Sequence, residues 1–166
     1  MITQERLKKL LLLREDGWFE NLTNRSSRAC KGQIAGTFTP QGYVQIQIDG
    51  VFYKAHQLVW LYVYGYIPDE MDHRNGNRHD NRPANLRKAT RAQNNANSDR
   101  QTGEGGLRGV TWFARDLKWQ AQIKIDGRSK HLGYFDTVEQ AHVAYLNAAD
   151  IVHGEYAFHN RDNPRS

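Results

Sequence analysis

Residues 72–94 gather an unusual inventory: Asp72-His73-Arg74-Asn75-Gly76-Asn77, then Asp80-Asn81-Arg82, Asn85-Leu86-Arg87 and Asn94. It suits the cutting of a phosphodiester. A carboxylate and an amide oxygen together can hold a hard divalent cation. A neutral imidazole near its ordinary pKa can take a proton from water, and a guanidinium grips phosphate through paired N–H groups. One at a time these residues are unremarkable, since Asp-His beside Asn-Gly is ordinary turn chemistry and Asn81, Asn85, Asn94 and Asn97 are all good caps. Their joint spacing carries the chemical reading.

Three elements must position this set. Met71–Arg74 reads as a strand, 75–83 as a polar loop and Asn85–Arg87 as a second strand. Thr90-Arg91-Ala92-Gln93 is a capping-box pattern that opens a helix over 91–99. Asn94 then sits in the first helical turn, within reach of a strand-borne Asp72, with Asn97 one turn on.

Upstream, Thr3 caps an expected helix over 3–14, Gly17-Trp18-Phe19 is a short strand, and 21–33 is a loop. Tyr43–Ile48 alternates at period two, and Asp49-Gly50 marks a hairpin into Val51–Lys54. Ala55–Tyr64 is apolar enough for a buried helix, closed by Gly65. Downstream, 101–106 is a polar, Gly-rich linker. Three strands follow at Val110–Ala114, Trp119–Ile125 and Ser129–Phe135, the last two joined at Asp126-Gly127. A helix capped by Thr137 then presents Ala141, Ala144, Tyr145, Ala148 and Val152 on one face.

The first constellation resembles the HNH (ββα-metal) nucleases, above all the phage and intron-borne homing endonucleases, whose motif runs D-H-x-x-G-N-x-x-D-N-R-x-x-N-L-R into a ligand-bearing helix. The resemblance implies a DNA phosphodiester hydrolase. Asp72 and Asn94 would ligate one Mg²⁺ or Mn²⁺, His73 would be the general base, and Asn85 would hold His73. Arg74, Arg82 and Arg87 would contact phosphates. The last ligand position is Asn where the family's name has His, which bears on metal preference. His56, just upstream, reads as structural, behind the site, and His79 as a loop histidine.

Residues 107–158 resemble the DNA-binding domain of plant Apetala/ethylene-response factors, carried by Arg108-Gly109-Val110, Trp119-Gln120-Ala121-Gln122-Ile123 and Leu132-Gly133-Tyr134-Phe135-Asp136-Thr137. Ala141, Ala144-Tyr145, Ala148-Ala149 and His153-Gly154 extend the match. The likeness implies a sheet laid on DNA through Arg108, Thr111, Gln122, Lys124 and His131. Trp112 and Trp119 are open between core and base-contacting roles.

The expected fold class is α+β: a nuclease module over 1–100, a linker over 101–106, and a three-stranded antiparallel sheet packed on one helix over 107–158, with a tail over 159–166. The 166 residues carry a net charge of +5, compatible with a polyanion. Between 71 and 100, seven Arg/Lys face three acids, so the basic charge gathers around the candidate chemistry. Cys30 is the single cysteine, which excludes a disulfide and a Cys-cluster zinc site. No signal-peptide or membrane-spanning pattern is present, and the expected setting is the cytoplasm of a bacterial host for a phage-encoded chain. The expected partner is double-stranded DNA, bound by a monomer that nicks one strand. A DNA-binding regulator with a silent nuclease module and a low-specificity nuclease are the rival readings.

Overall fold

A computed structural model describes residues 2–98 and 106–160. The expected linker, Gly106 apart, and the tail beyond Asn160 lie outside the described residues. The chain divides into two compact units, Met1–Thr90 and Arg91–Ser166.

In the first unit, α1 (Gln4–Leu10) opens on Thr3, whose hydroxyl accepts the Arg6 N–H at 3.2 Å. The helix stops well short of residue 14. Leu11–Leu13 instead form β1, paired antiparallel with β2 (Phe19–Asn21), so strand pairing overrides the good helix propensity of leucine. β2 also pairs with β3 (Ile34–Ala35). A second sheet runs in the order β4 (Thr37–Phe38), β5 (Val44–Ile48), β6 (Val51–Lys54). Its hairpin turns at Asp49 and Gly50, with φ of 50° and 81°, as a two-residue turn with both φ values positive requires.

β5 buries Val44, Ile46 and Ile48 and turns Gln45 and Gln47 to the other face. α2 (Ala55–Tyr64) follows at once and ends on Gly65 at φ 82°. β7 (Met71–His73) and β8 (Leu86–Lys88) make a two-stranded antiparallel ladder. β8 starts one residue later than expected because Pro83–Asn85 closes a 3-10 turn first. The core joins Leu7, Phe19 and Ile46 to Leu58, Val59 and Leu86. Residues 2–54 therefore complete the hydrophobic core on which the β7–β8 ladder rests.

The second unit begins with α3 (Arg91–Ala96). β9 (Val110–Phe113), β10 (Lys118–Ile125) and β11 (Arg128–Phe135) form an antiparallel sheet with β10 central. α4 (Val138–His153) starts at Thr137, whose hydroxyl accepts the Gln140 N–H at 3.2 Å. Its buried stripe is Ala141, Tyr145 and Ala149. Val152, expected on that stripe, stays 38% exposed, because the cluster closes at Ala149 against Ile123 and Ala157. Gly109, at φ 76°, lets the chain pass Tyr145: a Cβ there would lie 2.0 Å from the ring.

Candidate active site and nucleic-acid face

The β7–β8 register sets Asp72 opposite Arg87 and His73 opposite Leu86. Cross-strand partners share a face, and Arg87 uses this: its Nε and Nη2 both donate to Asp72 Oδ2, at 2.9 and 2.7 Å. Asp72 is 7% and Arg87 5% exposed. Arg87, expected on phosphate, is thus placed as the buried counter-ion of the candidate ligand carboxylate. The reason is register: a cation directly across a ladder from a buried carboxylate satisfies it at short range.

His73 is buried as well, with its Nε2 3.2 Å from Asn81 Oδ1. An amide oxygen only accepts, so Nε2 carries the proton and the basic lone pair falls on Nδ1. Burial pulls the His73 imidazole below its ordinary pKa, opposed by the Asn81 contact and by Asp72 and Asp80. The ring is neutral at pH 7, as a base must be.

Asn85, expected to hold His73, is engaged by the loop instead. Its Oδ1 accepts the Asn75 N–H at 3.1 Å and its Nδ2 donates to the Asp80 carbonyl at 2.7 Å. The Asn85 carbonyl also accepts the Arg74 N–H at 2.8 Å. Asn85 comes out of a 3-10 turn aimed back across the loop, which is why Asn81 is the amide that reaches the imidazole. Within the loop, Asn75 Nδ2 donates to Asp80 Oδ2 at 2.9 Å, and Asn75 Oδ1 accepts the Asn77 N–H at 2.9 Å. Arg82 forks onto Asp80 at 2.8 and 2.6 Å while staying largely exposed. That pairing and its neighbours hold Asp80 below the usual carboxylate range and Arg82 above its ordinary value.

Two supports behind the site have no signal in the motif. Gly17, at φ 83°, lies so close to the Asn81–Arg82 backbone that a Cβ would fall 2.4 Å from the Arg82 nitrogen. The N-terminal turn thereby buttresses the segment that carries Asn81, itself 2% exposed. Tyr43 packs 5.5 Å from the His56 ring and 6.3 Å from His73, with Lys54 and Arg78 over its face at 4.7 and 5.0 Å. His56 meets His73 edge-on at 5.1 Å, and burial with the nearby His73 and Lys54 lowers it to about 3. It is a neutral backing residue. His79 packs against Phe38 with the ring centroids 4.8 Å apart and the planes tilted by 53°.

Asn94, the expected second metal ligand, sits on α3 and so belongs to the second unit. Among the described residues no three His, Cys, Asp or Glu side chains cluster as a metal site. Among the described residues, the hard donor next to His73 is the Asp72 carboxylate, whose Oδ2 already accepts from Arg87. Its chemistry fits Mg²⁺, which keeps several waters and needs one or two carboxylates beside substrate phosphate.

In the second unit, Arg108, expected on DNA, is engaged within the unit itself. Its Nη1 donates to the Ala96 and Ser98 carbonyls at 2.9 and 2.6 Å, and its Nη2 to the Asn95 carbonyl at 2.7 Å. Phe158 lies 5.2 Å below the guanidinium. A helix end leaves carbonyls unsatisfied and partly negative, and a guanidinium answers both.

The sheet has two faces. Trp119, Ala121 and Ile123 turn toward α4, and Trp112 is the cross-strand partner of Trp119 at 5.1 Å, so both tryptophans take the inner face. The outer face carries Thr111, Gln120, Gln122, Lys124 and His131: Thr111 pairs with Gln120, and Gln122 with His131. A bulge at Ala121/Gln122 sets that last pairing. Four of the five residues expected on DNA therefore share one surface, without Arg108.

Residues 53–96, about a quarter of the chain, match the family model of the HNH endonucleases. The matched span runs from β6 through α3 and takes in both Asp72-His73 and Asn94. No curated protein and no solved structure matches the chain. The match supports a nuclease of this type acting on DNA, with a divalent metal ion as the usual requirement of such enzymes. No helix among the described residues is long and apolar enough to cross a membrane.

Proposed function

We propose that the chain is a metal-dependent, homing-type endonuclease that nicks double-stranded DNA at chosen sites, in which an Apetala/ethylene-response-like module over 107–158 reads sequence for a nuclease module over 1–100. The observation that carries the chemistry is the buried His73, neutral and fixed by Asn81 with its lone pair on Nδ1, next to Asp72 inside the matched span. His73 takes a proton from water as the oxygen attacks phosphorus. The P–O3′ bond breaks, and the 3′ oxygen leaves to be protonated by solvent. Asp72 and Asn94 would hold Mg²⁺ or Mn²⁺, which supplies charge stabilisation for the phosphate and the departing oxygen. Arg74 and Arg82 are the proposed phosphate contacts, and Arg82 shares its fork with Asp80 until DNA arrives.

The test is supercoiled plasmid carrying host-genome DNA, incubated with Mg²⁺, Mn²⁺ or EDTA, beside His73→Ala. Metal-dependent open circle at a mappable position, lost in the variant, is expected. Cutting that survives His73→Ala would remove that residue from the mechanism. One observation favours a second reading, a silent nuclease that regulates by binding. The Asp72 carboxylate already neutralised by Arg87 is a poorer cation ligand. That reading predicts selective retardation of DNA with no cleavage in any metal.

A further inference from the structure

We propose that Gln120, oriented by His131, is a base-reading residue of the sheet and selects adenine in the major groove. The inference rests on the sheet face binding DNA. It adds a residue and a base that the likeness to plant factors does not supply.

Gln120 is the third residue of the central strand, flanked by Thr111 on β9 and Tyr134 on β11. It lies on the outer face with Gln122 and Lys124. A free glutamine there would sample several rotamers and present its amide either way round. Here Gln120 Nε2 lies 3.0 Å from His131 Nδ1. The amide nitrogen can only donate, so Nδ1 accepts and the amide's orientation is fixed. The His131 ring is in turn packed at 4.6 Å on Tyr134, which itself contacts Phe113 at 5.1 Å.

One N–H of Gln120 is used by His131. The other N–H and Oε1 form a donor–acceptor pair in a fixed plane. Adenine presents the complement at its major-groove edge, N7 as acceptor and N6 as donor. Guanine presents two acceptors there, cytosine a donor alone, and thymine an acceptor with a methyl group, so none of them pairs with both atoms. A side chain held before binding loses less entropy on docking. His131 is a positioning residue in this scheme, and Lys124, exposed on the same strand, anchors on phosphate without reading sequence.

The experiment is selection of bound sequences from a randomised duplex pool by the full chain in EDTA, followed by affinity measurements on the selected duplex. Wild type should enrich one position for adenine. Gln120→Ala should cut the preference at that position about tenfold and leave the others unchanged. Gln120→Glu, which can only accept, should move it toward cytosine. His131→Ala should blur it, and His131→Asn, whose Oδ1 can accept from Gln120, should recover part of it. Lys124→Ala should lower affinity for all sequences alike. If Lys124→Ala weakens binding while Gln120→Ala leaves every position unchanged, the adenine assignment falls and the DNA-binding face stands. If neither substitution alters binding, the face itself is off the DNA and both readings fall.

Discussion

At the residue scale, the proposed chemistry depends on how one imidazole is held. A general base contributes about 10²–10⁴-fold, and only while its lone pair points at the attacking water. Asn81 sets that direction for His73. Asn81→Ala should therefore lower the nicking rate by about one to two orders of magnitude at unchanged DNA affinity. Nicking at the wild-type rate would show that the imidazole is oriented by something else. His56 has a separate consequence. Its pKa is about 3 in the fold against 6.5 unfolded, so the unfolded chain binds a proton first as pH falls. Its contribution to stability is full above pH 6.5 and drains away between there and about 3, at about 1.4 kcal/mol per pH unit. Urea midpoints should drop steeply from pH 7 to pH 4.5 in the wild type and more gently in His56→Gln. Parallel slopes would locate the acid sensitivity elsewhere, with His73 the next candidate because its pKa is lowered too.

At the scale of elements, Arg108 separates what local pattern can reveal from what it cannot. The resemblance to the plant factors implies a DNA contact at this position. The structure uses the charge on the carbonyls at the end of α3. Arg108→Ala should lower the melting temperature by several degrees, since it strands three carbonyl contacts worth about 1 kcal/mol or more together. The salt dependence of DNA binding should hold its slope, because no phosphate contact is lost. A slope smaller by about one charge would return Arg108 to the interface. Elements with strong local signals were legible in the sequence: both Asp-Gly hairpins, the Thr3 and Thr137 caps and the period-two strand Val44–Ile48 stand where the residues point. The end of α1 was not, because Leu11–Leu13 are good helix formers claimed by a strand partner that only the fold supplies. In the candidate site, the strand that carries Asp72 and His73 was legible from the residue pattern. The roles of Asn81, Arg87 and Gly17 depend on cross-strand register and on a backbone approach so close that a Cβ at Gly17 would lie 2.4 Å from the Arg82 nitrogen, neither of which any spacing in the sequence encodes.

At the scale of the whole molecule, the proposed division of labour needs a test that does not damage the cutting centre. Removing 107–166 is a poor one. The deletion would take away Arg108, which holds the end of α3, and α3 carries Asn94. Loss of cutting would then mix lost recognition with a damaged ligand helix. Substitutions on the outer face of the sheet avoid this, because Gln122 and Lys124 alternate along β10 with Ala121 and Ile123, the residues that form the core under α4. A single phosphate contact carries about one charge of the salt slope, and a good base contact is worth about 1–3 kcal/mol. Gln122→Ala combined with Lys124→Ala should thus raise the DNA concentration for half-maximal nicking by about tenfold or more. The rate at saturating DNA should be unchanged, and nicks should spread to additional positions. A tethered reader acts through effective concentration, so its loss weakens engagement and not chemistry. If the double variant nicks the same positions at the same half-saturation, site choice resides in the first unit, and the sheet serves some other partner.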